Sequence, residues 1–257
     1  MYPNHDAPTD YGYENISLRF NKMNIYILIT ALLPVVILLV TIYLKDKAAP
    51  EPAGQLVKAF VFGVISAGLA IVLSTLLEVA GLYSQWDPYN ANGIRMAFFG
   101  AAIPEETAKL FMLWLLLRRN RFFDENMDGI VYAAFVSLGF AAFENISYLF
   151  SNSESFLSVG IMRACTSIPG HFCFGILMGY YYSLARFGNK AALRNKIFVW
   201  LIPVLAHGFY DAILFITNVP PVVSAILSVI FFVFLCWMGK TAKRMVQLML
   251  RKDGRKK

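Results

Sequence analysis

Residues 25–44 read IYILITALLPVVILLVTIYL, a run of twenty residues without a charged side chain. A helix of about 20 residues, at 1.5 Å per residue, crosses the ~30 Å hydrocarbon core of a bilayer. The run is not followed by a clean small-residue cleavage site of the kind that ends a secretory signal peptide. The sequence therefore predicts that residues 25–44 form a permanent membrane span.

Six further stretches have the same apolar character and are predicted to span the membrane near 56–78, 94–117, 129–150, 160–184, 197–217 and 219–239. The whole chain has 257 residues, of which 58% are hydrophobic and 15% are charged. Soluble domains carry about 25% charged residues, so the composition argues against a water-soluble globule and excludes a disordered chain. The predicted fold is all-α, a polytopic membrane helix bundle with about seven transmembrane helices. Cys165, Cys173 and Cys236 lie in apolar stretches and match no metal-binding spacing, which predicts buried free thiols.

Lysine and arginine are concentrated in alternate loops. They follow the first, third and fifth predicted spans and fill the tail from Lys240 onward, whereas residues 79–93 and 151–159 contain none. The positive-inside rule then places the N-terminus outside and the C-terminus in the cytoplasm. We expect an extracytoplasmic tail (1–24), a transmembrane core (25–239) and a basic cytoplasmic tail (240–257). The formal net charge of +7 thus reflects topology, with the lipid bilayer and not a nucleic acid as the partner.

The informative residues are the ionisable ones inside the spans. Four segments carry them: Pro104-Glu-Glu-Thr-Ala-Lys109, Phe143-Glu-Asn-Ile-Ser-Tyr148, His171-Phe-Cys-Phe-Gly175 and His207-Gly-Phe-Tyr-Asp211. A charge at the bilayer centre costs at least ~2.5–3.5 kcal/mol, so such groups usually face the protein interior and serve a function. Counted from the basic ends of their helices, they lie at similar depths, roughly 15–22 Å. The sequence therefore predicts one shared polar cavity.

Carboxylates and imidazoles in a wet cavity can activate water. A glutamate can act as general base while a histidine stabilises the oxyanion, or two histidines and a carboxylate can hold Zn²⁺. Pro104 removes a backbone donor just before the glutamate pair, which predicts a local opening of the helix that admits water. Two other classes of protein use buried ionisable groups or keep such a fold: a proton- or ion-coupled transporter, and a non-catalytic membrane scaffold.

The four motifs resemble those of the PrsW family of intramembrane proteases. They are Glu105-Glu106-x-x-Lys109, Phe143-Glu144-x-x-x-Tyr148, His171-x-x-x-Gly175 and His207-x-x-x-Asp211, in the family's order, and the similarity covers about 95–215. The resemblance implies a hydrolase of the bacterial cytoplasmic membrane that cleaves a single-pass membrane anti-sigma factor on its extracytoplasmic side and starts a stress response. The family is also similar to the CAAX prenyl protease and bacteriocin-processing group, whose motifs support a glutamate mechanism, although PrsW-type proteins have been classed as metalloproteases.

Resemblance and chemistry together assign the roles. Glu106 or Glu105 is the general base, and Lys109 neutralises the other glutamate. His171 and His207 polarise the water or the carbonyl, or bind a divalent metal (zinc) together with Glu144. The supporting residues are Asp211, which orients His207, Asn145, which donates to the oxyanion, and Tyr148. Between the two mechanisms, ligand spacing favours the metal-free glutamic one.

Overall fold

The chain folds into a bundle of α-helices. The computed structural model describes residues 10–47, 49–84, 90–188, 192–217 and 219–254, and this part of the chain contains no strand. Its helices are α1 (Asp10–Lys45), α2 (Ala53–Val79), α3 (Asn90–Arg95), α4 (Ile103–Leu117), α5 (Asn126–Ser151), α6 (Phe156–Cys165), α7 (Ser167–Phe187), α8 (Ala192–Phe215) and α9 (Pro221–Lys252). A π-helix over Met96–Ala102 joins α3 to α4, and a 3₁₀ turn over Ser153–Ser155 precedes α6.

Six segments of the described chain are long and apolar enough to cross a membrane. They are Met23–Lys45, Ala53–Val79, Asn126–Ser151, Ser153–Phe187, Leu193–Phe215 and Pro221–Lys252. The span predicted near 94–117 is the composite of α3, the π-helix and α4, which carries two glutamates and a lysine in its middle. The prediction of an all-α polytopic membrane bundle is confirmed.

Helix α5 lies at the centre of the bundle. In the most apolar part of α5, 83% of the residues are buried, compared with 22% in α1 and α2 and 11% in α9. A helix that is apolar all round suits such a position, because every face meets another helix. The outer helices instead present large apolar side chains to the surroundings, among them Val57, Ile71 and Val233. Most of α5 is therefore held by neighbouring helices, while Glu144, near its far end, stays partly exposed.

Glycines allow α5 to approach two neighbours closely. A Cβ on Gly179 of α7 would lie 2.2 Å from the carbonyl oxygen of Gly129 of α5. On the other side of α5, a Cβ on Gly139 would lie 2.1 Å from the carbonyl oxygen of Phe60 of α2. Membrane helices use small residues in this way to bring their backbones into van der Waals contact. The close packing fixes α7 against α5 along the length that carries the site.

The end of the bundle at the start of α5 is called the basic end here, because the ends of α4, α7 and α9, which carry lysines and arginines, lie there. Asp253, just after α9, accepts hydrogen bonds from the backbone N–H groups of Asn126 (2.9 Å) and Met127 (2.8 Å). These groups have no partner within α5 itself, so Asp253 caps that helix from 126 residues away. Glu51, in the α1–α2 loop, is 7% exposed and accepts a hydrogen bond from the Tyr132 hydroxyl.

Helix α1 begins at Asp10, before the first predicted span, so part of the predicted 1–24 tail is helical, while residues 1–9 lie outside the described residues. The structure departs from the sequence-based expectations in two places. The predicted span 160–184 is two helices that meet at Thr166, whose backbone (φ −126°, ψ −70°) leaves the helical region. Of the three cysteines expected to be buried, only Cys173 is, whereas Cys165 and Cys236 are exposed on outer surfaces.

Candidate active site

A π-helix sets the position of the two adjacent glutamates. Pro104 has no N–H to donate to the carbonyl of Gly100, four residues earlier. That carbonyl instead accepts a hydrogen bond from the Ser74 hydroxyl of α2 at 2.7 Å, and the Ser74 hydroxyl lies 2.7 Å from the Tyr83 hydroxyl. The helix does open before the glutamates, as Pro104 predicted, but a serine satisfies the freed carbonyl. Helix α4 then resumes with Glu105 and Glu106 in its first turn.

Lys109 joins the glutamates of α4 to a histidine of α7. Its Nζ donates to Glu106 Oε1 at 2.8 Å and to Glu105 Oε2 at 3.3 Å, and it lies 3.2 Å from His171 Nδ1. The lysine side chain is 1% exposed, and its ammonium also lies 4.0 Å from the centre of the Phe140 ring. A buried ammonium needs partners of this kind to offset the cost of leaving water. The expected pairing of Lys109 with the glutamates is therefore present, and it extends to His171.

His207 of α8 faces carboxylates on both sides of its ring. Its Nδ1 lies 2.9 Å from Glu106 Oε1, and its Nε2 lies 3.2 Å from Asp211 Oδ2 and 3.9 Å from Glu105 Oε2. The Phe174 ring stacks on the imidazole with a centroid separation of 4.7 Å and an interplanar angle of 18°. These contacts hold the ring in one orientation, with Nε2 towards Glu105 and Asp211.

His171 is held by a chain of contacts that the sequence analysis did not include. Its Nε2 lies 2.9 Å from Glu144 Oε2, and the same oxygen accepts a hydrogen bond from Arg163 of α6 at 2.8 Å. Because Nδ1 faces the Lys109 ammonium, the contacts assign the imidazole proton to Nε2. Glu144 therefore links an arginine to a histidine, as carboxylates that orient histidines in enzyme sites do.

Arg163 also binds the neighbours of Glu144. Its Nε donates to Asn145 Oδ1 at 2.7 Å, and its guanidinium lies 4.0 Å from the centre of the Tyr148 ring. The amide of Asn145 donates in turn to the carbonyl of Ala31 in α1 at 2.8 Å. Asn145 is thus turned towards α1 and α6, and these contacts do not favour the expected role as oxyanion donor. Arg163 could have been found from sequence as the one Asp, Glu, Lys or Arg in the predicted span 160–184.

The described site is sealed on one side and open on the other. The side chains of Glu106 and Lys109 are 0% and 1% exposed, whereas those of Glu105, Asp211 and Glu144 are 15%, 12% and 23% exposed. Counted at 1.5 Å per residue from the basic end, Glu105 lies at roughly 18 Å and Glu144 at roughly 27 Å. The accessible carboxylates therefore extend from the level of Glu106 towards the end of the bundle away from the basic end.

Four side chains of the site are chemically suited to bind a divalent metal, but the Lys109 ammonium lies among them. Glu105, Glu106, His171 and His207 each offer one atom, and these atoms lie within 4.8 Å of one another. Carboxylate oxygens and imidazole nitrogens are ligands of Zn²⁺. However, the Lys109 ammonium already lies within 3.3 Å of atoms from three of these residues. A resident divalent cation does not fit beside it, because two cations would share one set of donors.

The comparisons with known proteins agree with the motifs. The family model described as PrsW family intramembrane metalloprotease matches residues 51–238. Protease PrsW of Clostridioides difficile (strain 630) is 37% identical over 219 residues, covering 84% of this chain and 88% of that protein. Protease PrsW of Bacillus subtilis (strain 168) is 33% identical over 207 residues, covering 80% of this chain and 88% of that protein.

No solved structure matches the chain significantly. The match of the family model extends over most of the chain and includes α4, α5, α7 and α8, the four helices that carry the predicted motifs. The chain therefore belongs to the PrsW family of intramembrane proteases.

Proposed function

We propose that the protein is a metal-free glutamic endopeptidase in which Glu105 is the general base. The observation that carries this proposal is the unequal environment of the two adjacent glutamates. Glu106 is fully buried, with one oxygen between Lys109 and His207, whereas Glu105 reaches the open side of the site. A base must be accessible to the water that it activates, so Glu105 fits the role and Glu106 serves to orient its neighbours.

The proposed reaction is a peptide-bond hydrolysis. Glu105 takes a proton from water as the water oxygen bonds to the substrate carbonyl carbon. His207 Nε2, on the same side of the site, donates to the oxyanion that forms. When the C–N bond breaks, Glu105 returns its proton to the leaving amine. Lys109 keeps Glu106 and Glu105 in place throughout, and Asp211 orients the His207 ring.

His171, Glu144 and Arg163 form the support of this site in the proposal. His171 directs Nδ1 to Lys109 and Nε2 to Glu144, whereas His207 directs its Nε2 towards the proposed base, 3.9 Å from Glu105 Oε2. We therefore assign His171 to positioning the Lys109 ammonium, and Glu144 and Arg163 to positioning His171. Asn145 and Tyr148 fix Arg163 from two further directions.

The proposed substrate is a single-pass membrane protein of the anti-sigma-factor type, cut on the extracytoplasmic side. The family resemblance supplies the substrate class. The open side of the site supports the location, because it faces away from the basic end, which the positive-inside rule assigns to the cytoplasm. In this topology the N-terminus lies outside the bacterial cytoplasmic membrane and the C-terminus lies in the cytoplasm.

The test is cleavage of a single-span reporter protein by the purified full-length enzyme in vesicles. Glu105→Gln should lower kcat by about 10²–10⁴-fold, the usual contribution of a general base. The matched control is Glu154→Gln, which neutralises an exposed glutamate in the turn before α6. Dialysis against a strong chelator should leave wild-type activity unchanged. Loss of activity in the chelator and recovery with zinc would overturn the metal-free proposal, and a Glu105→Gln variant with normal kcat would remove Glu105 as the base.

A further inference from the structure

A groove opens on the side of the bundle at the basic end, outside the candidate active site. It lies between α4, α7 and α8 and encloses about 530 Å³. We call it the basic-end groove, and its lining residues include Leu110, Phe111, Trp114, Tyr182, Arg186 and Lys196. Its volume falls in the ~300–1,000 Å³ range of small-ligand pockets. The lining residues form a long apolar wall and include two cations, Arg186 and Lys196.

The apolar wall belongs to α4. Phe111 and Trp114 are 44% and 45% exposed, and their rings lie 6.0 Å apart. At the end of the same helix, the Arg118 guanidinium lies 5.0 Å from the centre of the Trp114 ring. Tryptophan beside arginine is typical of the level where lipid head groups begin. The apolar wall therefore lies at the depth of the lipid acyl chains, and its end nearest to the basic end lies at the level of the head groups.

The cations lie across the groove from this wall. Arg186, in the last turn of α7, and Lys196, near the start of α8, are both exposed. The lining residues include no carboxylate, and neither cation forms an ion pair within the described part of the chain. Long basic side chains in such a position extend towards the interface and attract phosphate groups.

We propose that the basic-end groove binds one anionic phospholipid. Its acyl chain lies along Leu110, Phe111 and Trp114, and its phosphate lies between Arg186 and Lys196. Charge favours this occupant over a substrate helix. A polypeptide that crosses the bilayer carries its own lysines and arginines on the cytoplasmic side, where they would meet two like charges. The basic pocket between membrane helices is a known kind of site for anionic head groups.

The experiment measures quenching of tryptophan fluorescence by brominated lipids in the full-length protein. Brominated phosphatidylglycerol should quench Trp114 at a lower mole fraction than brominated phosphatidylcholine, and the Trp114→Phe variant identifies the Trp114 signal. The double variant Arg186→Gln/Lys196→Gln should lose about 25-fold in preference, about fivefold for each basic residue near a membrane surface. The matched control, Lys58→Gln/Arg121→Gln, removes two exposed cations outside the groove and should keep the preference.

Three results would overturn the proposal. If the control loses the preference as fully as the groove variant, the attraction is diffuse surface charge. If millimolar inorganic phosphate abolishes the preference, the groove binds an anion and not a lipid. If the groove-filling variant Ala185→Phe abolishes reporter cleavage in vesicles made only of phosphatidylcholine, while the protein remains folded, the groove holds the substrate. An unchanged cleavage rate in those vesicles supports the lipid.

Discussion

Replacing Arg163 with alanine tests whether the support of the site controls catalysis. The substitution removes the hydrogen bonds to Glu144 and Asn145 and leaves Glu144 with His171 as its remaining partner. Breaking a buried ion pair from one side costs about 3–5 kcal/mol. Because the Glu144 side chain is 23% exposed, we expect the lower end of that range, about 3 kcal/mol of folding free energy.

The effect on catalysis follows from the contacts that join Arg163 to the proposed base. They run from Arg163 to Glu144 (2.8 Å), to His171 (2.9 Å), to Lys109 (3.2 Å) and to Glu105 (3.3 Å). Loss of a group that orients a site histidine typically lowers activity about 10–100-fold. We expect Arg163→Ala to lower kcat by this factor and to leave KM nearly unchanged, because Arg163 does not contact the substrate in the proposal.

The assay is reporter cleavage by purified variants below their melting temperatures, with kcat and KM determined separately. Arg163→Lys keeps the charge beside Glu144 but cannot make both of the separate contacts that a guanidinium makes, so it should recover part of kcat. The control is Arg95→Ala, which removes an exposed arginine. If Arg163→Ala melts at a lower temperature yet keeps the wild-type kcat, its role is structural and the reasoning fails.

Two further predictions concern the fold. Burial raises the pKa of Glu51 from 4.5 to about 8, the Tyr132 hydrogen bond lowers it, and Asp128 and Asp46 raise it. Between these values the folded chain keeps a proton that the unfolded chain releases, so stability falls as pH rises. The melting temperature should drop between about pH 5 and pH 8, and Glu51→Gln should reduce that slope; equal slopes in the two proteins would contradict the argument. Gly179→Ala places a Cβ 2.2 Å from the backbone of α5 and should destabilise the folded protein by about 1–3 kcal/mol. The control Gly68→Ala adds a Cβ in open space and should be neutral or stabilising. Equal melting temperatures for the two variants would refute the packing argument.

The sequence predicts the membrane spans and the ionisable residues inside them because both can be identified from the order of apolar and charged residues along the chain. Runs of apolar residues long enough for a bilayer identify the helices, and a charge inside such a run is conspicuous because it is costly. Counting residues from the basic ends then gives the depth of each polar group. That count placed Glu106, His171 and His207 near one level, and the structure brings the three together.

The sequence does not predict how the helices are rotated about their axes. Depth alone does not distinguish Glu105, on the open side, from Glu106, which is sealed. Asn145 likewise lies at the right depth but on the face of α5 that meets α1, since its amide bonds to Ala31. Arg163 reaches Glu144 from the short helix α6, which ends at Thr166, and the sequence marks that end only by Pro169 and Gly170 just beyond it.

Lys109 explains why so many ionisable groups are stable inside a bilayer. Four carboxyl groups lie near this level, those of Glu105, Glu106, Glu144 and Asp211, together with the cations of Lys109 and Arg163. The two cations alone do not balance four charged carboxylates, and the imidazole N–H groups add hydrogen bonds to those carboxylates. Each imidazole accordingly lies beside carboxylates, and Lys109 lies between the two glutamates and His171. A protein built in this way carries its own central cation, and the same charge that stabilises the fold keeps the proposed base in place.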